Sequence, residues 1–372
     1  MPVDDLTREG AHVMRVCNAC RYCEQYCPVF PAMEQRIVFN APDLNYLANL
    51  CHNCGECLYA CQYAPPHEFM INVPRSLAAI RLRSYEQYAW PAALGAAFRH
   101  NNLATGLALV AGLALVMLAA AFAVNGTALL EPGHEGDFYS VVPHTVMVSL
   151  FGGVSLFVLA AFAIGASRAW RDMDRAPIAA GSAGPVRPIS AIGDIATLRH
   201  LHGSGEDCVS AEEVRIPWRR WFHHATFYGF LLCFASTSVA AFYHSFLGWE
   251  APYGYTSLPV LLGTVGGIGL LIGPVGLLAL RRRRDPDLTA GDTKGLDESL
   301  IALLFITSLT GLLLLVLRHQ AVMGILLIVH LASVLALFLT MPYGKFVHGL
   351  YRAIALLKYS AEKDAEAFGA EG

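Results

Sequence analysis

Six uninterrupted apolar stretches dominate the chain from residue 103 onward, at 103–124, 143–165, 225–247, 258–280, 299–317 and 322–341. Each is long enough to cross a bilayer as a helix, which takes about 20 residues. The third is the least uniform, with Ser236, Thr237 and Ser238 at its middle. Such hydroxyls bond back to their own helix or across to a neighbour, so they do not exclude a span. In the fourth, Gly263, Gly267, Gly269 and Gly273 are spaced for close packing against another helix. Before residue 103 the pattern is mixed. Residues 1–75 predict a small cysteine-bearing domain, and 76–102 a helical connector to the membrane.

The segments between spans divide sharply by charge. Loop 125–142 carries Glu131, Glu135 and Asp137 but no Lys or Arg; loop 248–257 has none either, and the turn before the sixth span has only Arg318. The alternate segments are basic. Loop 166–224 holds Arg168, Arg171, Arg175, Arg187, Arg199, Arg215, Arg219 and Arg220, and the next loop on that side holds the run 281–284 and Lys294. Arg81, Arg83 and Arg99 precede the first span, and Lys345, Arg352, Lys358 and Lys363 follow the last. Basic residues mark the cytoplasmic side. The chain therefore reads as a multi-pass protein of the inner (cytoplasmic) membrane, with both termini cytoplasmic and 342–372 as a tail. The "RRRR" run at a helix end reads as a topology anchor in contact with membrane lipid rather than a nucleic-acid site. Within 166–224, "APIAAGSAGPVRP" predicts local flexibility.

Composition agrees with a membrane protein. The 372 residues are 55% hydrophobic and only 15% charged, against about 25% charged in soluble domains. A net charge of −3 gives no case for a nucleic-acid partner. The opening "MPVDDLTREG" has no basic run leading into an apolar core, so no secretory signal is expected.

Eight of the ten cysteines fall in two runs. Cys17, Cys20, Cys23 and Cys27 follow CxxCxxCxxxCP, and Cys51, Cys54, Cys57 and Cys61 follow CxxCxxCxxxC. Bacterial-type ferredoxins use this doubled run to hold two 4Fe–4S clusters, each fourth cysteine ligating the other cluster. A tight loop wraps three thiolates around one cube, and the fourth cysteine starts a segment that leads to the other. On that analogy one cluster takes Cys17, Cys20, Cys23 and Cys61, and the second takes Cys51, Cys54, Cys57 and Cys27. Structural zinc prefers paired CxxC knuckles without a third cysteine at the same spacing. A disulfide scaffold needs an oxidising compartment, against the topology. Cys208 reads as a loop thiol and Cys233 as a small apolar residue. Two clusters at this spacing relay single electrons and offer no open iron to a substrate.

No Asp, Glu, Lys or Arg lies within the six spans; the ionisable groups at membrane depth are His144, His244 and His330. His223, His224, His319 and His348 lie near the edges. Ionisable groups in a bilayer are functional candidates, and a set made only of histidine suits axial ligation of haem b. His144 and His244 both fall at the outer face and form one candidate pair. His224 lies about 30 Å from His244 along the same helix and cannot share its haem. An inner haem would pair His224 or His223 with His348, His100 or His330. Each edge histidine also has a plainer reading as an interfacial polar residue. No CxxCH occurs, which excludes covalent haem.

The segments "CNACRYCEQYCPVFPAME", "CHNCGECLYACQYAPPHEF" and "INVPRSLAAIRLRSYEQYAWP", followed by six apolar spans, resemble the tricarballylate-utilization or citrate-utilization protein B family over nearly the whole chain. The resemblance implies a mainly α fold, with an N-terminal ferredoxin-like two-cluster domain and a six-helix transmembrane bundle. It implies an electron-transfer protein that reoxidises the reduced FAD of a partner flavoprotein dehydrogenase and passes electrons through two 4Fe–4S clusters to membrane quinone. A related fusion protein of cobalamin synthesis carries haem, which favours haem here by analogy. Such a protein is an electron-transfer component of an oxidoreductase rather than a substrate-converting enzyme, and no catalytic residue is assigned. "CQYAPPHEF", beside the second cluster, is a candidate docking face for the flavoprotein. The alternatives are a redox-sensing membrane protein without quinone turnover and a transporter with an appended cluster domain; the absence of intramembrane carboxylates counts against the transporter.

Overall fold

Polar side chains set the first helices. Asp4 accepts the Thr7 N–H at 2.7 Å and starts α1 (Asp5–Cys20). After the short α2 (Val29–Glu34), Asn40 and Asp43 form a reciprocal capping box at the start of α3 (Ala41–Leu50). Next come α4 (Glu56–Tyr59), then α5 (Val73–Tyr88), capped by Asn72, and α6 (Ala92–Ala97). The computed structural model describes residues 4–98, 103–126, 138–175, 188–202, 218–290 and 293–369. Among these there are helices and turns and no strand.

The remaining helices are α7 (Leu103–Asn125), α8 (His144–Asp174), α9 (Pro188–Thr197), α10 (Trp218–Leu247), α11 (Leu258–Arg282), α12 (Thr293–Leu317), α13 (Met323–Thr340) and α14 (Val347–Gly369). Six of them (α7, α8 and α10 to α13) are long and apolar enough to cross a membrane. The fold is thus mainly α, a small cysteine domain set on a six-helix bundle. Helix α10 lies closely on α11, as the glycine pattern predicts. A Cβ on Gly266 would fall 2.8 Å from the Gly229 carbonyl oxygen, and one on Gly269 2.9 Å from that of Ala225. Ser236 reaches across to the Pro259 carbonyl at 2.6 Å, while Thr237 and Ser238 bond back within their own helix.

Three helices run past the ends that apolarity predicts, all on the cysteine side. α8 continues to Asp174 instead of stopping at 165, α10 begins at Trp218 rather than 225, and α12 at Thr293 rather than 299. An apolar window measures only the lipid-facing length; the α8 and α12 extensions bury Met173 and Leu296 against protein, and the α10 extension brings Arg219 to the His52 carbonyl. Ala169 and Met173 of α8 lie in the same core as Leu47, Leu50 and Tyr88. Asp172 accepts hydrogen bonds from the Tyr88 hydroxyl at 2.5 Å and the Asn45 amide at 2.8 Å. The expected domain boundary at 75/76 falls inside α5, whose Leu77 and Ile80 are fully buried in that core.

The C-terminal segment is not a free tail. α14 folds back onto the cysteine domain, burying Tyr351, Ile354, Ala355 and Leu356 there. Glu362, 0% exposed, pairs with Arg36 at 2.6 Å and accepts the Tyr46 hydroxyl at 2.9 Å; Arg36 also pairs with Asp43 at 3.0 Å. Residues 176–187, Cys208, Arg99 and His100 lie outside the described residues. Losing one partner of a buried pair leaves the other charge stranded. Glu362→Ala should therefore destabilise the domain by about 3 kcal/mol, the low end for such pairs because Asp43 remains. Denaturant unfolding in detergent measures it, and an unchanged midpoint would remove this role from the pair.

Candidate functional site

The cysteines gather into two neighbouring sets. Cys17 and Cys20 occupy the last turn of α1, and Arg21, at φ 55, turns the chain into the loop bearing Cys23. Cys17, Cys20, Cys23 and Cys61 line one cavity of about 230 Å³, with Cys57 in its wall. Cys27, Cys51, Cys54 and Cys57 line a second, tighter recess. The fourth cysteine of each run therefore stands with the first three of the other. Gly55, at φ +99, makes the turn between Cys54 and α4; a Cβ there would also meet Leu288 at 2.9 Å.

Among the described residues no three His, Cys, Asp or Glu side chains converge as a single ion requires, and none of the nine described cysteines is in a disulfide. Thiols spread around a cavity suit a polynuclear cluster better than one zinc ion. Burial, reinforced by the neighbouring thiols, pushes Cys17 and Cys23 up to about 12. Burial likewise raises Cys27, Cys57 and Cys61. Thiols held this way become thiolates when a metal compensates their charge.

The two sets face different surroundings. Around the first cavity stand Val16, Phe30, Ile71 and Val73. Its rim is exposed, with Tyr22 68% and Met70 59% accessible. Gln62 and Tyr63 line this cavity, so "CQYAPPHEF" sits beside the first set rather than the second, because Cys61 has crossed over. The rings of Tyr63, His67 and Phe69 cluster at 5.0–5.5 Å.

The second recess instead faces the membrane helices through a layer of cations. Arg352 donates to the Cys51 carbonyl at 2.7 Å and Arg219 to that of His52 at 2.9 Å. Arg284 bonds the Asn53 carbonyl. Beyond this loop lies a cavity whose wall includes His52, Arg81, His223, Lys345, His348 and Arg352. Burial, then Arg352, holds His52 and His348 well below the usual histidine range, so both are neutral. Burial lowers Lys345 to about 8 and Arg352 to about 10. Sequence pattern singles out His223 and His348 among these residues but not the others. The arginines register there only as topology signals, and His52 lies inside a cysteine run that already has an explanation.

The candidate haem histidines separate. His144 and His244 do meet at the far end of the bundle, beside Tyr139, but their rings stack at 3.8 Å with 32° between planes. Imidazoles sharing one haem iron stand on opposite faces of the macrocycle, and stacked rings leave it no gap, so this pair does not fit the expected role as placed. His224 points its Nε2 at the Thr197 carbonyl, 3.2 Å away. His330 packs against Gly311, with Nδ1 3.1 Å from the Thr310 hydroxyl. The neighbour of His224 behaves differently: His223 faces His348 with ring centres 6.0 Å apart and planes at 65°.

Comparison with known proteins agrees with this architecture. The family model for Citrate utilization protein B matches residues 98–369, and that for the Citrate utilization protein B Fer4-like domain matches 10–97. The chain is similar to Citrate utilization protein B of Escherichia coli, with 51% identity over 356 residues, 95% of this chain and 92% of that protein. No solved structure matches the chain.

The buried thiols have a measurable consequence. Raising a thiol from 9.0 to about 12 cuts its thiolate fraction at pH 8 by about a thousandfold. In metal-stripped, reduced and folded protein, Cys17 and Cys23 should alkylate that much more slowly than in the unfolded chain, the rate rising tenfold per pH unit. Mass spectrometry of timed alkylation tests this; equal rates in folded and unfolded chains would contradict the burial.

Proposed function

The chain belongs to the citrate utilization protein B family, and from that premise we propose an electron-transfer role in citrate utilization. Its N-terminal domain takes electrons from the reduced FAD of a partner flavoprotein dehydrogenase, and its membrane domain delivers them to quinone. The observation that carries the reading is the sorting of eight cysteines into two adjacent sets, Cys17, Cys20, Cys23, Cys61 and Cys27, Cys51, Cys54, Cys57. Each set fits a 4Fe–4S cluster, which when bound supplies a one-electron carrier.

The chain's own residues give the domain two unlike sides. Tyr22, Phe69 and Met70 make an exposed apolar rim beside the first set, suited to a docked flavoprotein. The second set lies against the membrane helices, tied to them by Arg219, Arg284 and Arg352. Arginine-rich segments on the cysteine side support an inner-membrane protein with both termini in the cytoplasm. The acid oxidised is chosen by the flavoprotein.

Paramagnetic resonance on dithionite-reduced protein tests the assignment. Two interacting 4Fe–4S signals are expected. Cys61→Ser should perturb the same signal as Cys17→Ser, and Cys27→Ser the same signal as Cys51→Ser; a split by run instead of by set would overturn the crossed ligation. Docking has a separate test. Replacing Tyr63 and His67 together should slow flavoprotein-dependent quinone reduction by about tenfold, as loss of interface anchors does, with the resonance signals intact. An unchanged rate would move the docking face elsewhere.

A further inference from the structure

Three consecutive backbone carbonyls of the second cysteine run, those of Cys51, His52 and Asn53, are each held by an arginine from outside the cysteine domain. We propose that Arg219, Arg284 and Arg352 are positioning residues for electron flow. Acting through this loop, they give the cluster of the second set the higher reduction potential, so an electron received at the first set passes on to the side against the membrane helices. The proposal deepens the electron-transfer reading and rests on it. The transfer balances with one electron: the first cluster is oxidised as the second is reduced, and no bond or proton moves.

The geometry runs through single peptides. Arg352 donates to the Cys51 carbonyl at 2.7 Å and Arg219 to the His52 carbonyl at 2.9 Å. The Asn53 carbonyl accepts from Arg284 and, at 3.3 Å, from Arg219 as well. In a trans peptide the N–H points opposite to the C=O. A carbonyl turned out toward an arginine therefore turns the next amide back toward the cysteines. The His52–Asn53 peptide shows this directly: its carbonyl is on Arg219, and its N–H donates to Cys51 Sγ at 3.3 Å. A guanidinium at one end of such a chain polarises the hydrogen bond at the other. Hydrogen bonds to the sulfurs and nearby positive charge both favour the reduced, more negative cluster, which raises its potential. Asn53, at φ 54, is held in place by its side-chain amide on the Leu288 carbonyl at 3.2 Å.

The first set has no such backing. Backbone amides reach sulfur there too, those of Tyr63 and Ala64 on Cys61, as that of Val29 does on Cys27 in the second set, so amides alone do not separate the two. Glu56 adds its negative field at Cys23 and at Cys27 alike. The difference is cationic. No Lys or Arg is among the described residues lining the first cavity. Arg21, next to Cys20, is exposed and bonds the Asn18 carbonyl of its own helix at 3.1 Å, where water screens its charge. The three arginines behind the second set are half-buried and come from α10, the segment after α11, and α14. The bias therefore exists only while the domain is seated on the bundle.

Potentiometric titration of full-length protein, followed by paramagnetic resonance, tests this. The wild type should show two midpoints, the higher one on the signal that Cys51→Ser perturbs. Partly screened unit charges move an equilibrium by on the order of tenfold. Arg219→Gln and Arg284→Gln should each lower that cluster's electron affinity by about tenfold, about 59 mV for one electron, and leave the other midpoint in place. Arg219→Lys keeps the charge and should recover most of the loss, which a role confined to fastening the loop would not produce. Arg283→Gln, at an exposed neighbour in the same basic run, should change neither midpoint. A wild type with equal midpoints, a higher midpoint on the Cys17→Ser signal, or Gln variants that leave the second midpoint unmoved would each overturn the proposal. So would an equal fall in both midpoints, which marks loosening of the whole domain. Reduction by the reduced flavoprotein, followed on the same samples, keeps the two readings apart. Clusters that it reduces but that share one midpoint sink this proposal alone; clusters that it fails to reduce sink the electron-transfer reading itself.

Discussion

The ion pair between Arg36 and Glu362 joins residues 326 positions apart, with neither side chain exposed to water. Two charges leave water to make it, and only their close geometry, with Asp43 and Tyr46 adding bonds, compensates that loss. It anchors the far end of α14 to the cysteine domain. The near end of the same helix carries Arg352 to the Cys51 carbonyl and His348 to His223. One helix thus holds the domain on the bundle and brings polar groups to its underside.

The consequence is an electrostatic polarity across a small domain. The first cysteine set is walled mainly by apolar and aromatic groups and reaches the surface at an apolar rim. The second set rests on carbonyl groups that are themselves held by arginines. Added negative charge is favoured beside those half-buried cations, because Coulomb attraction strengthens as water is excluded. On the proposed reading, an electron entering at the rim would be drawn toward the side set against the spanning helices.

Much of this was legible in the residues. The doubled cysteine spacing and the six spans needed no tertiary information, since one reflects loop geometry around a metal cube and the other the thickness of a bilayer. The glycine spacing in α11 foretold its close approach to α10 for the same local reason. The histidines were harder. His223 and His224 are adjacent, and which of them turns inward depends on how α10 is rotated against its neighbours, a property of packing that no spacing records. His144 and His244 were correctly placed at one depth, yet depth does not determine how two rings meet.

By itself, then, the sequence determined the features that local chemistry dictates: the doubled cysteine spacing, which segments are apolar enough to span lipid, and where basic residues accumulate. Tertiary structure alone decided the features that depend on long-range closure. It extended α8, α10 and α12 out of the apolar windows because their polar ends meet groups of other segments, Asp172 with Asn45 and Tyr88, Arg219 with the His52 carbonyl and Asp297 with Lys345. It turned residues 347–369 from a tail into a clamp because Glu362 finds Arg36. It also converted scattered topology arginines into one buried cationic wall, because only folding brings Arg81, Arg219 and Arg352, from three different helices or their ends, to the same cavity.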